Sequence, residues 1–543
     1  MIKKWNGWGW QEIGFNIDLD YVNLIPSLEK LFEQPLEKIG SPIRAEQIKI
    51  PESRITGNAL KQLCLIIPEK YIKRDHSERL FHSRGRSLPD LFSLRNGTVN
   101  EFPDVVIYPQ NNQQIIHLLK FAQKFKMAVI PYGGGTSVVG GINSIKVKLH
   151  NGIIILNLTN MNKMLKLDEV SQTARFQCGI LGPELEILLN KSGYTLGHFP
   201  QSFEFSTLGG WVATRGAGYL SDKYGKIEDM IVSLQICLPD RFLETEISSE
   251  IAEGPLLTQI FTGSEGTMGI ITEIIVKIKP LPDMKKQQAF LFSSFNDAIQ
   301  VMREGSQKHI AYSMVRLSDY EETQYYRLLN LKNNGRKKLK NFLLNSLGYQ
   351  TPCLMLIITD GHYARMEMHK ISKIVKKQKC IQLGSGPVES WYASRYKTPY
   401  IRDYLLDFGV ASDTFETWVN WSDLEKLKTE IYLLFDKLRL KMSKKYLLMS
   451  HVSHISAQGV CIYFTVLYLH EKKNPVNEYE KLKSQITNTL LKNNGALSHH
   501  HGIGTDHKLY MKGDEQHKAK CKIMENLKKE LDPAGILNPG KLF

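Results

Sequence analysis

The run Pro131-Tyr132-Gly133-Gly134-Gly135-Thr136-Ser137 constrains this chain more than any other segment. It follows Met127-Ala128-Val129-Ile130, an apolar stretch that reads as a strand. Three adjacent glycines let the backbone approach a ligand closely and adopt positive φ. Thr136 and Ser137 add short hydroxyl donors. Such a loop forms a nest of N–H groups for a phosphate, although alone it would serve equally well as a ligand-free turn. Its company decides the matter. Gly197-His198-Phe199-Pro200, Ser206-Thr207-Leu208-Gly209-Gly210-Trp211 and Gly263-Ser264-Glu265-Gly266-Thr267-Met268-Gly269 follow in order. No G-x-G-x-x-G joins a strand to a helix, and no G-x-x-x-x-G-K-[ST] occurs. A Rossmann dehydrogenase and a P-loop ATPase are therefore disfavoured.

The ordered set resembles the FAD-binding domain of the vanillyl-alcohol oxidase family, where a P-x-G-G-G-T-S loop holds the FAD pyrophosphate. The resemblance runs from Phe102 to Lys279 and returns in the C-terminal tail. It implies an α+β fold: a two-subdomain PCMH-type FAD-binding domain, an α+β cap (substrate) domain with an antiparallel sheet, and helical N- and C-terminal segments.

At 543 residues the chain is too long for one ordinary core. Its 70 Lys+Arg against 55 Asp+Glu give +15, which favours anionic partners: phosphorylated substrates, acidic headgroups or nucleic acid. No nucleic-acid recognition signature is present. The seven cysteines form no C-x-x-C and suggest reduced thiols. Met1-Ile2-Lys3-Lys4-Trp5 does not open a signal peptide. No run of 18 apolar residues exists, so no transmembrane helix is expected.

Val105-Val106-Ile107-Tyr108, Val129-Ile130 and Ile153-Ile154-Ile155-Leu156 read as strands, and Ile115, Ile116, Leu118, Leu119 and Ala122 fall at helical spacing. Leu185, Leu188 and Leu189 mark a helix, while 231–238 and 270–278 read as strands. Pro280-Leu281-Pro282 breaks this alternation. The expected organisation is an N-terminal segment (1–98) packing on the body, a FAD-binding domain (99–282), a cap (283–494) and a C-terminal segment (495–543) returning to the flavin. Trp5-Asn6-Gly7-Trp8-Gly9-Trp10 reads as a packing plug against another domain. Arg336 to Leu347 reads as a basic amphipathic helix, suited to an anionic membrane surface or to ordinary packing on the core.

Ser498-His499-His500-His501-Gly502 is the strongest chemical signal beyond the glycine loop. If extended, it places His499 and His501 on one face and His500 on the other. No cysteine or carboxylate completes a zinc spacing with these residues, nor with His451, His454 or His507. Three readings stand: a zinc site to which His507, or His451 and His454 at i, i+3, could add ligands; a buried hydrogen-bonded cluster; or a set of acid/base and phosphate-binding imidazoles. Tyr463 lies on a strand, usually a core position. Arg316, flanked by apolar strand residues, needs an anionic partner. Arg402 has Asp403 beside it.

Lys4-Trp5-Asn6-Gly7-Trp8-Gly9, Gly197-His198, Glu204-Phe205-Ser206-Thr207, Val315-Arg316-Leu317, Tyr400-Ile401-Arg402-Asp403, Phe415-Glu416-Thr417, Cys461-Ile462-Tyr463-Phe464 and the histidine triplet together resemble the alkyldihydroxyacetonephosphate synthase family. The resemblance implies a redox-neutral transferase. It replaces the acyl group of acyl-dihydroxyacetone phosphate with a long-chain alcohol, and FAD acts as an electrophilic template. It makes Tyr463 the proton donor/acceptor and requires Arg316, His499, His500 and His501. It gives Arg402 the substrate phosphate, with His198 also at the substrate. FAD contacts would fall on Pro131 to Ser137, on Gln201-Ser202-Phe203-Glu204-Phe205-Ser206-Thr207, on Thr214-Arg215-Gly216-Ala217 and on Glu265-Gly266-Thr267-Met268-Gly269-Ile270-Ile271.

Gln201 stands where that family carries an acid, which leaves one flavin contact open. Tyr132 occupies the loop position where a histidine would hint at covalent linkage, so non-covalent FAD is expected. Only three residues precede the Lys-Trp-Asn-Gly-Trp-Gly motif and the chain ends Lys541-Leu542-Phe543, so a cytoplasmic rather than peroxisomal location is expected. The alternative is a FAD-dependent D-2-hydroxyacid dehydrogenase, which shares the glycine loop and the HGIG…LDP…LNPGK tail. Those enzymes carry a glutamate before the HGIG histidine, and His500 stands there. Expected partners are acyl-dihydroxyacetone phosphate, a fatty alcohol, a membrane surface met peripherally and a second copy of the chain. Metal and nucleic acid are not among them.

Overall fold

The computed structural model describes residues 3–12, 24–145, 147–248, 250–329, 346–442, 445–513 and 515–543. The basic stretch 336–345 lies outside them.

Two sheets build the first half. Strands β1 (Ile72–Lys73), β2 (Val105–Ile107), β3 (Met127–Tyr132) and β4 (Gly152–Asn157) run in the order β1-β2-β4-β3. The last three are parallel and β1 is antiparallel. Their unbroken Val/Ile runs suit strands covered on both faces. The helix Asn112–Phe125 buries Ile115, Ile116, Leu118, Leu119 and Ala122 against this sheet. Asn111 caps it by accepting the Gln114 N–H. β3 stops at Tyr132, so the glycine run begins where the strand ladder ends.

The second sheet is antiparallel: β5 (Met164–Asp168), β6 (Thr173–Gln177), β8 (Ile231–Cys237), β9 (Phe242–Glu244) and β10 (Ile270–Lys277), ordered β5-β6-β10-β8-β9. A short ribbon pairs β7 (Tyr194–Thr195) with β11 (Lys279–Pro280), where the chain crosses into the cap. One apolar cluster joins both sheets.

The cap is a seven-stranded antiparallel sheet made of β12 (Lys285–Phe292), β13 (Met314–Ser318), β14 (Cys353–Asp360), β15 (Cys380–Gly384), β16 (Val410–Asn420), β17 (Tyr446–Ile455) and β18 (Gly459–Leu469). Its order is β15-β12-β14-β13-β17-β18-β16. Strand alternation sorts the side chains. Val315, Leu317, Leu448, Val452, Ile462, Phe464 and Phe415 face the helices Phe295–Gln307, Leu424–Met442 and Pro475–Lys492 in a second core. Met314, Arg316, Met449, His451, Tyr463, Thr465 and Thr414 take the opposite face and look toward the first half.

The halves are pinned together by polar contacts. Asp222 accepts the N–H groups of Val315 (3.1 Å) and Ile455 (2.8 Å). The N-terminal tryptophans pack as a plug. Trp8 and Trp10 lie 5.5 and 5.3 Å from the Phe205 ring, and the main-chain N–H of Trp8 donates to Asp403 at 2.6 Å. The C-terminal tail returns to β3, where Val129 donates to Ile536 and accepts from Asn538, each at 2.8 Å.

Candidate active site

A cavity of about 620 Å³ lies between the two halves. Its floor is the whole glycine loop, Pro131 to Ser137, with Gln201, Ser202, Ser206, Thr207, Thr214, Gly216, Ala217, Glu265, Gly266, Gly269 and Ile271. Its roof carries Arg316, Arg402, Tyr463, His500 and His501. Backbone comes unusually close here. A Cβ on Gly134 would stand 1.8 Å from the Phe205 carbonyl oxygen, and Gly135 holds φ +78°. Only glycine permits both. A loop without side chains at three consecutive positions can offer main-chain amides to a pyrophosphate, so these residues suit the FAD that the loop motif implies.

Several expected contacts stand elsewhere. Phe203, Glu204, Phe205, Arg215, Thr267, Met268 and Ile270 are absent from the cavity lining. Phe205 serves the tryptophan plug, Arg215 pairs with Glu228 at 3.4 Å, and Met268 and Ile270 belong to the core. They sit in the right loops, but each loop turns only some of its side chains inward. His198 is 1% exposed and packs on Trp211 behind the wall; neither ring nitrogen has a protein partner. Burial above all, then the charges of His454 and Lys226, lowers it to about 3, so it is neutral.

The candidate acid/base residues form a row across neighbouring strands. In the sheet register Glu416 on β16 faces Tyr463 on β18, and Tyr463 faces His451 on β17. His451 in turn faces Ser318 on β13. The His451 ring lies 4.5 Å from that of Tyr463 and nearly parallel to it, at 16°. The Tyr463 hydroxyl meets His500 Nε2 at 2.7 Å. Burial first, then the neighbouring Cys461 and the Glu416 carboxylate, push the phenol well above its usual 10, against Arg316. Burial, then the surrounding histidines and Lys226, hold His500 well below 6.5. The resting pair is thus a phenol donating to a neutral imidazole. With Nε2 accepting, the ring proton sits on Nδ1, which faces His499 Nδ1 at 3.1 Å.

The triplet is not extended. Its backbone bends, with His499 and His500 edge-on at 5.3 Å and His500 and His501 at 4.6 Å. The alternation expected for a strand therefore fails. His500 and His501 reach the cavity, whereas His499 stacks on Trp418 at 5.6 Å and is absent from the lining.

Arg316 finds the partner its surroundings demand, since its guanidinium donates to Glu322 at 3.0 Å. Glu322 also accepts from Ser318 (2.5 Å) and takes the His451 Nδ1 contact at 2.9 Å. Burial alone would raise this carboxyl, but Arg316 and His451 outweigh it and hold it at about 2. Arg402 differs. Asp403 is its chain neighbour, yet no ion pair within 4.0 Å forms between them, and Arg402 Nε is buried with no protein acceptor. Its Nε is thus left for an anionic ligand, as is the buried Nε of Arg395, which lines the same cavity.

Glu322, Glu416 and Cys461 carry no assigned role in the sequence reading, and His451 and His454 enter it only as metal candidates. His454 occupies a β-bulge between Ser453 and Ile455 at φ +52°, which brings its ring 5.4 Å from His499. Glu416 shares its strand with Asp413, Ser412, Thr414 and Thr417, so no local pattern singles it out. Folding also supplies the cysteine and carboxylate that sequence spacing lacks: Glu416, Cys461, His499 and His500 bring donor atoms within 4.8 Å of one another. Glu416 is already filled by four protein donors, however, so the set is a hydrogen-bonded cluster in this arrangement.

Residues 103–241 match the family described as FAD binding domain, and residues 281–542 match FAD linked oxidases, C-terminal domain. FAD is therefore the cofactor of this chain. Alkyldihydroxyacetonephosphate synthase of Dictyostelium discoideum is 33% identical over 510 residues, covering 92% of this chain and 83% of that protein. The Trypanosoma brucei brucei enzyme of that name is 30% identical over 568 residues, covering 99% and 92%. A solved alkyldihydroxyacetonephosphate synthase structure superposes with a TM-score of 0.86 at 30% identity, covering 99% of each chain. The chain belongs to the alkyldihydroxyacetonephosphate synthase family.

Proposed function

We propose that this protein exchanges the acyl group of acyl-dihydroxyacetone phosphate for a long-chain alcohol, giving alkyl-dihydroxyacetone phosphate and a fatty acid with no net redox change. The observation that carries this reading is the Tyr463–His500 pair at 2.7 Å, set in a cavity with the unpaired guanidinium nitrogen of Arg402. The chemistry must move a proton at the carbon beside the ketone while a phosphate is gripped. Tyr463 holds its proton at rest, so it becomes a base only as His500 takes that proton through Nε2. His499 behind it extends the relay. Arg402 holds the substrate phosphate as a charge-assisted partner, and Arg316, locked to Glu322, keeps a fixed positive charge beside the phenol. FAD, held by the glycine loop, supplies an electrophilic centre. His500 stands where hydroxyacid dehydrogenases carry a glutamate, which favours the transferase over that alternative.

A long-chain alcohol is delivered from a bilayer, so the same proposal includes peripheral contact with an anionic membrane and a cytoplasmic location. The net charge of +15 supports that attraction. Among the described residues, no helix is long and apolar enough to cross a membrane.

The test is exchange by the purified, FAD-loaded protein of palmitoyl-dihydroxyacetone phosphate with labelled hexadecanol, in detergent and in liposomes. The expected products are labelled alkyl-dihydroxyacetone phosphate and free palmitate. No product with any chain length, together with anaerobic bleaching of the flavin by D-lactate, would overturn the reading in favour of the dehydrogenase.

A further inference from the structure

The histidine triplet has no strand or helix to hold it, so something else must fix its rings. Glu416 does so from β16. Glu416 is 5% exposed, and its carboxylate gathers four donors from four consecutive residues. The Ser498 hydroxyl donates to it at 2.7 Å, and the N–H groups of His499, His500 and His501 at 2.6, 3.1 and 3.0 Å. His501 Nδ1 lies 3.7 Å from the same oxygen. Buried N–H groups need an acceptor, and here a single side chain substitutes for a strand ladder. Because Glu416 directly faces Tyr463 in the sheet register, the same side chain references the triplet to the phenol. A second carboxylate from the other half, Glu265, takes the next N–H groups, those of Ile503 (2.6 Å) and Gly504 (2.8 Å). The other titratable or charged groups around the triplet are His454, Cys461, Tyr463 and Arg316 of the cap, Lys226 and His198 of the FAD half, and His507 on its own loop. Glu416 is the anion in direct contact with it.

We propose that Glu416 is a positioning residue for the exchange reaction: it sets His500 Nε2 at hydrogen-bond distance from Tyr463 and lends the triplet the negative charge that favours its imidazolium form once the phenol proton arrives. This rests on the transferase reading above. The test uses the FAD-loaded full chain and the variants Glu416→Gln, Glu416→Asp and Ser498→Ala. Four quantities are read: flavin occupancy, kcat against KM, the pH–rate profile, and diethyl pyrocarbonate labelling of His499, His500 and His501 by mass spectrometry.

Glu416→Gln keeps the shape and removes the charge. Its kcat is expected to fall about 100-fold, as for a catalytic group displaced by about 1 Å, with KM and flavin occupancy little changed. The acidic limb of the profile moves to lower pH, because an imidazolium there has lost its anion. Triplet labelling becomes several-fold faster. Glu416→Asp restores the acidic limb without restoring the full rate. The proposal is overturned if kcat stays within about threefold, if limb and labelling both match the wild type, or if flavin is lost while the rate per bound flavin is kept. Should Glu416→Gln fail to fold, Ser498→Ala decides: it removes one donor and leaves the charge, so faster labelling with flavin retained is expected and unchanged labelling overturns the proposal. Labelling needs no turnover. A wild-type protein without exchange activity would sink the functional reading and leave this contrast readable.

Discussion

The two walls of the cavity are built by opposite means. The FAD wall is built on a stretch of consecutive residues, Pro131 to Ser137, that carries no side chain at Gly133, Gly134 and Gly135. The cap wall is side chain: Arg316, His451 and Tyr463 project from three strands, Arg402 comes from the helix Thr398–Asp407, and His500 comes from a tail loop. The first is suited to hold a cofactor whose shape does not change. The second is suited to move protons, because its groups shift each other's affinities. Binding therefore depends chiefly on close main-chain packing, and chemistry on contacts between side chains from different strands and loops.

Breaking each wall in turn tests that division. The largest effect is expected from Gly134→Val, whose side chain would collide with the Phe205 carbonyl oxygen 1.8 Å from the Cβ position. The purified variant should be colourless and fail to take up added flavin. Tyr463→Phe should retain flavin yet lose about 10² to 10⁴ in kcat, the usual worth of a positioned acid/base. Flavin loss in that variant, or retention in Gly134→Val, would erase the distinction.

Glu322→Ala probes the cap wall's internal support. It strands Arg316 and His451, both without their carboxylate. A destabilisation of about 3–5 kcal/mol is expected from removing one partner of a buried pair, read as a lowered denaturant midpoint. Glu322→Gln, which keeps hydrogen bonding to His451, should be milder.

The smallest effect is one of pH. His198 and His454 are lowered to about 3, chiefly by burial. Unfolded imidazoles take up protons as pH falls through about 6.5. Between those values the unfolded chain binds more protons than the native one, so these groups make stability fall as pH drops. Asp222 and Glu265, pushed up to about 7 by burial, act oppositely, since the native state binds more protons there. The single variant His454→Gln isolates the first contribution: its Tm should decline less from pH 7 to pH 5 than the wild-type Tm does. An identical slope would mean that His454 gains no proton on unfolding.

The two walls also differ in how far they could be read in advance. The parallel strands, the helix Asn112–Phe125 and the glycine loop follow from runs and spacings a few residues long, and they fold as those patterns dictate. The alternation along β18 similarly puts Tyr463 opposite the core-facing Ile462 and Phe464. Which loop side chains turn inward was not legible. Phe205 and Met268 belong to motifs as strong as those of Thr207 and Gly269, yet they pack elsewhere. The triplet's bend was equally hidden, because the carboxylate that imposes it lies more than 80 residues earlier in the chain.

By itself the amino-acid sequence determined where the phosphate-binding nest forms, which strands have a buried face and which chemical groups are available, because steric freedom and hydrophobic periodicity act between near neighbours. Only the tertiary structure decided that a phenol stands between two imidazoles, that Arg316 is paired while Arg402 keeps a free nitrogen, and that His500 rather than His499 meets the cavity. Proton affinity and hydrogen bonding depend on distance and burial, and strand register brings residues together without regard to their separation along the chain.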